Sequence, residues 1–170
     1  MTLDNYRSSY TFAMDFGTSD FKFGPITCGE DPLIVNNRGY FPDRKSVMYK
    51  AFESTPDVVV GDQVPLYLQS TEDLSSRLVY PMRNGMIEKT DDNAWQVVSA
   101  LCQYGLNTFS SQQNNGFKGY NIVASLSAIS PRYMYEHLMD IFKENNNGLI
   151  RAATVIPQPF AVAIGHGVTT

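Results

Sequence analysis

A chain of 170 residues, 43% apolar and 12% aromatic, is long enough to bury a real core within one domain. Its net charge of −4 offers no basic field to nucleic acid or to an anionic membrane surface. Cys28 and Cys102 stand far apart in no metal-ligand spacing, which fits a reducing, cytoplasmic setting better than a disulfide framework. No apolar run approaches the roughly 20 residues of a membrane span, and Met1-Thr2-Leu3-Asp4 is too polar to open a signal peptide.

The chain begins its structure with a hairpin. Tyr10-Thr11-Phe12-Ala13-Met14 and Phe21-Lys22-Phe23-Gly24-Pro25-Ile26 read as strands, joined through Gly17, two hydroxyl residues and Asp20. Pro32-Leu33-Ile34-Val35 reads as a short third strand. Residues 36–57 turn polar and punctuated, with charge and aromatics mixed without period, and read as a surface insertion rather than core. Val58-Val59-Val60 is a short strand ending at Gly61-Asp62.

Two amphipathic helices follow. Asp91 or Asp92 can cap the first, in which Trp95, Val98, Leu101, Cys102, Leu106 and Phe109 recur every three or four residues. Ser130 as N-cap with Pro131 at the first helical position opens the second, striped by Met134, Leu138, Ile141 and Phe142 and stopped at Asn145–Gly148. Between them Tyr120–Leu126 reads as a buried strand; Ala152–Ile156 reads as another, before a short helix at Pro159–Ile164. Strand–helix–strand–helix order predicts parallel pairing, and the antiparallel hairpin in front makes the sheet mixed.

Chemistry concentrates in two places. Asp15, leaving a core strand, can hold a magnesium ion through water, or can simply bond turn amides. Thr18 and Ser19 can offer backbone N–H groups to phosphate oxygens, and Lys22 shares a strand face with Asp20 and Gly24; ordinary hairpin chemistry and a solvated lysine explain the same residues. The segment is no P-loop, because it lacks that motif's order and leads into a strand. Gln158, after a strand and flanked by Pro157 and Pro159, can orient a water toward a phosphoryl group. Its residues alone favour a proline-stiffened helix start. His137 is expected at the surface edge of its helix, and neither it nor His166 joins a nucleophilic triad by spacing.

Five segments in order resemble the N-terminal half of the actin family, most closely the archaeal crenactins. They are Asp15–Ile26; Val60-Gly61-Asp62; Tyr80-Pro81 with Asn84-Gly85-Met86-Ile87 and Asp91-Asp92-Trp95; Leu126–Tyr135; and Ile156–Ile164. The resemblance implies an α/β, ribonuclease-H-like (actin-like ATPase) domain: a mixed sheet with flanking helices and a small inserted subdomain. The core would be about residues 8–32 and 80–170, and the inserted outer part about 33–79. It implies ATP and Mg²⁺ as cofactors, with Asp15 on the Mg²⁺–water cluster. Gly17, Thr18, Ser19 and Lys22 would lie at the β- and γ-phosphates, and Gln158 would place the attacking water.

The same resemblance implies filaments with itself or a full-length actin-like protein in the cytoplasm, through a segment carrying Arg44, Met48, Tyr49 and Phe52. The family's second half supplies a second phosphate loop and the adenine pocket. Gly165-His166-Gly167-Val168-Thr169 faintly resembles that second loop, but it follows the connecting helix without room for a strand and lacks the leading Asp. Hydrolysis is therefore expected only with a second half supplied. A non-enzymatic module that joins or regulates a full-length actin is the first alternative. A truncated sugar-kinase-like ATPase is the second, since sugar kinases share an Asp-x-Gly-Thr-type loop.

Overall fold

The computed structural model describes residues 10–26, 31–44, 56–69, 78–110, 119–144 and 149–165. β1 (Tyr10–Phe16) and β2 (Asp20–Pro25) form the expected hairpin, and β3 (Leu33–Asn36) pairs antiparallel with β2. β7 (Tyr120–Leu126) runs parallel to β1, and β8 (Ile150–Pro157) runs parallel to β7. The result is a mixed five-stranded sheet in the order β3-β2-β1-β7-β8.

A second, three-stranded sheet is made of β4 (Gly39–Tyr40), β5 (Val59–Val60) and β6 (Leu78–Val79), in the order β5-β4-β6. After β5 the chain turns through a short 3-10 segment at Gly61–Gln63 into α1 (Val64–Gln69). The reading of 36–57 as all surface misses this sheet. Asn37, Gly39 and Tyr40 are buried, because Gly39 leaves β4 room against Val97 and Tyr40 packs with Val59 and Val64.

α2 (Asp92–Ser110) is capped as its sequence suggests, with the Ala94 amide donating to Asp91 Oδ1 at 3.0 Å. α3 (Arg132–Glu144) begins just after Pro131, whose carbonyl accepts from the Met134 amide. The Ser130 hydroxyl donates to the Gly85 carbonyl at 3.4 Å, so it ties two loops together instead of capping the helix. The stop at Asn145–Gly148 lies outside the described residues, and so do Cys28 and His166. α4 (Gln158–Gly165) starts directly at the end of β8.

Period-2 alternation on β1 decides the layers. Phe12, Met14 and Phe16 face a core shared with Val98, Leu101 and Leu106 of α2 and with Met134, Leu138 and Phe142 of α3. Ala13 and Asp15 take the opposite face, where a cavity lies. His137 does not sit at a free edge. Its ring meets Trp95 edge-on at 4.6 Å, and its Nδ1 is buried without a partner.

No helix among the described residues is long and apolar enough to cross a membrane. Cys102 is a free, buried thiol on α2, and burial pushes its pKa up.

Candidate functional site

Asp15 lies one residue before the end of β1, where the sheet opens onto a cavity of about 510 Å³. β1 pairs with β2 on one side and β7 on the other, which sets Lys22 and Ser125 at the positions facing Asp15 across the two ladders. β8 and the start of α4 deliver Gln158 to the same place. Two side chains donate to one carboxylate oxygen: Ser125 Oγ reaches Asp15 Oδ1 at 2.6 Å, and Gln158 Nε2 reaches it at 2.7 Å. Hydrogen bonds to an ionised acceptor are about twice as strong as neutral ones, so this pair fixes the carboxylate's rotamer.

With Oδ1 occupied, Oδ2 is the oxygen left to meet a ligand. Among the described residues no three His, Cys, Asp or Glu side chains gather as a metal cage. A cation here would rest on one carboxylate plus waters and ligand oxygens, which is how Mg²⁺ is commonly held. The donor set of carboxylate, hydroxyl and amide is hard and oxygen-rich, so the residues fit that ion.

The loop from Gly17 to Asp20 stands at the end of the hairpin. Its Gly17 amide donates to the Asp20 carbonyl at 3.0 Å, and Thr18 and Ser19 are exposed. Gly17 admits no side chain, since a Cβ there would lie 2.7 Å from the Asp20 carbonyl oxygen. On the outer segment, Arg44 pairs with Asp57 at 2.6 Å; Met48, Tyr49 and Phe52 lie outside the described residues.

No family model matches the sequence. Among solved structures, the fold is similar to a non-polymerising MamK variant bound to AMPPNP, at a TM-score of 0.69 and 19% identity over 95% of this chain and 44% of that one. It is similar to the MamK double helical filament at 0.67 and 19%, over 94% of this chain and 44% of that one. It also resembles MreB5 of Spiroplasma citri bound to ADP, at 0.64 and 12%, over 95% of this chain and 42% of that one. The chain has the actin-like fold. It spans less than half the length of each of these structures.

Within that fold, Asp15, Lys22 and Gln158 come together at the cavity, while Gly17, Thr18 and Ser19 form the adjoining turn. The turn to a helix-start role for Gln158 is half of the outcome: it does open α4, and it also bonds Asp15. The sequence reading passed over two residues of the site. Ser125 looks like any small residue in a buried strand, and only its register opposite Asp15 distinguishes it. Asn37 follows β3 in a polar stretch, yet it is buried and its Nδ2 donates to the Gly17 carbonyl at 2.6 Å.

Proposed function

We propose that this chain is the N-terminal half of an actin-like cytoskeletal protein of the archaeal, crenactin-like kind, binding the phosphates of ATP–Mg²⁺ and contributing to filaments. The observation that carries the reading is the convergence of Ser125 and Gln158 on Asp15 Oδ1, beside Lys22, in one cavity. Asp15 would hold Mg²⁺ through water, and the ion would neutralise phosphate charge. Lys22 and the amides of the Gly17–Asp20 loop would meet the phosphate oxygens. Gln158 would orient a water for in-line attack, with hydrolysis depending on the second half of the cleft. Residues near 33–79 would form the outer subdomain, and the Arg44 segment would touch a neighbouring subunit.

Calorimetric titration of the purified chain with ATP in the presence of Mg²⁺ tests the reading. Saturable binding that Lys22→Ala weakens at least about tenfold is expected, since each lost charge-assisted bond costs about 1.5–3 kcal/mol. No saturable binding, or binding indifferent to Lys22→Ala, would remove the site.

A second reading has its own observation. Val162 on α4 is 59% exposed and lines the cavity together with exposed Ile26. Clustered apolar side chains of this kind mark a face that another polypeptide covers. A non-enzymatic module that joins a full-length actin-like filament would co-sediment with it without nucleotide binding of its own.

A further inference from the structure

Asn37 is 1% exposed, and it touches the Gly17–Asp20 loop twice. Its side-chain Nδ2 donates to the Gly17 carbonyl at 2.6 Å, and its backbone amide donates to the Ser19 carbonyl at 2.8 Å. Each peptide unit is planar and trans, so a carbonyl and the next residue's N–H point in opposite directions. Holding the Gly17 carbonyl inward therefore turns the Thr18 N–H outward. Holding the Ser19 carbonyl inward turns the Asp20 N–H outward.

In a closed β-turn the first carbonyl accepts from the fourth residue's amide. Here the first carbonyl, that of Gly17, is engaged by Asn37. The loop so held presents amide hydrogens and hides carbonyl oxygens, which is the arrangement an anion needs.

The choice of asparagine is informative. Its Oδ1 is buried and unpartnered, a cost that most buried polar groups avoid. Flipping the amide would set Oδ1 against the Gly17 carbonyl, acceptor against acceptor, so the network dictates the orientation. The side chain is kept for its donor.

We propose that Asn37 is a positioning residue of the phosphate loop, holding it with the Thr18 and Asp20 N–H groups turned outward to receive an anion. The loop-holding half stands on the bonds above; the anion half rests on the ATP–Mg²⁺ reading of the site.

The experiment compares the nucleotide-free full chain with Asn37→Leu, which has the same branched outline and no donor, and with Asn37→Ser, which keeps a shorter donor. Amide hydrogen exchange at Gly17, whose N–H is bonded within the loop, should speed up about tenfold in Asn37→Leu, the size of one lost hydrogen bond. It should recover in part in Asn37→Ser. Exchange at Ile122 and Ala124 in β7 should not change. Added ADP–Mg²⁺ should shift the Thr18 and Asp20 amide resonances of the wild type, and its affinity should fall about tenfold in Asn37→Leu.

Unchanged exchange at Gly17 in Asn37→Leu overturns the loop-holding role, whatever nucleotide does. Equal affinity in wild type and Asn37→Leu overturns the anion half. If the wild type binds no nucleotide while its loop still loosens in Asn37→Leu, the ATP reading falls and loop-holding stands. Should Asn37→Leu not fold, Asn37→Asp carries the same comparisons, since it keeps the shape and exchanges the donor for an acceptor.

Discussion

Gln158 donates through Nε2 to Asp15 Oδ1 at 2.7 Å, joining the start of α4 to the end of β1. A carboxylate only accepts, so the amide nitrogen must be the end that faces it. The Gln158 Oε1 is then left as an acceptor for a water molecule. In a preparation that hydrolyses ATP, Gln158→Ala should leave nucleotide affinity within about threefold while slowing single-turnover phosphate release about 100-fold, the typical cost of a misplaced reactant. An equal loss in both quantities would mean that Gln158 serves binding and not orientation.

Asp15 offers a cleaner separation of fold from ligand. Asp15→Asn retains an Oδ1 that can accept from Ser125 and Gln158, so its urea midpoint should stay close to wild type. Its Mg²⁺-dependent gain in nucleotide affinity should disappear, because the charge that attracts the cation is gone. Asp15→Ala removes the acceptor as well. Ser125 is only 8% exposed, so its hydroxyl would lose its partner at a cost of about 1–3 kcal/mol. Urea denaturation and titration with and without Mg²⁺ read the two effects apart.

The parts of this fold that are plain in the sequence are those where one physical signal suffices. α2 and α3 carry long 3.6-residue stripes, α2 has an aspartate cap, and β7 is a run of buried residues in a length typical of strands. α1 escaped because six residues opening on Val64-Pro65 carry too little pattern to separate them from a loop. β4 escaped because a glycine and a tyrosine in a polar stretch gain meaning only against Val97 and Val59, both supplied from elsewhere in the chain. The site divides in the same way. Asp15 and Lys22 lie on adjacent strands of one hairpin, so local reasoning reaches both. Gln158 stands out by its place after a strand and between two prolines, but Ser125 arrives through a parallel register spanning most of the chain, which no local pattern encodes.

Cys102 should be chemically silent while the protein is folded. It is buried on α2, and desolvation raises its pKa, so the reactive thiolate is disfavoured at neutral pH. Alkylation at pH 8 followed by peptide mapping should find Cys102 unmodified in native buffer and modified in denaturant. Rapid native labelling would show that α2 opens locally.

A close joint between α2 and β2 lies at Gly105. A Cβ there would lie 2.6 Å from Cδ2 of Phe23, well inside contact distance. Alanine is the better helix former by about 1 kcal/mol, so propensity alone makes Gly105→Ala stabilising. The clash should win, because overpacking a filled core typically costs 1–3 kcal/mol. Phe23 cannot swing away freely, since its ring also packs against Phe12, Phe21, Tyr104 and Phe109. Strain on Phe23 would pass to its neighbours Lys22 and Gly24, which face the cavity. Gly105→Ala should therefore lower both thermal stability and nucleotide affinity, although it touches no ligand. Adding Phe23→Leu should make the alanine less harmful than it is alone, a coupling that contacting residues show and distant ones do not. Strictly additive losses in that double-mutant cycle would place the effect in the helix itself and not at this contact.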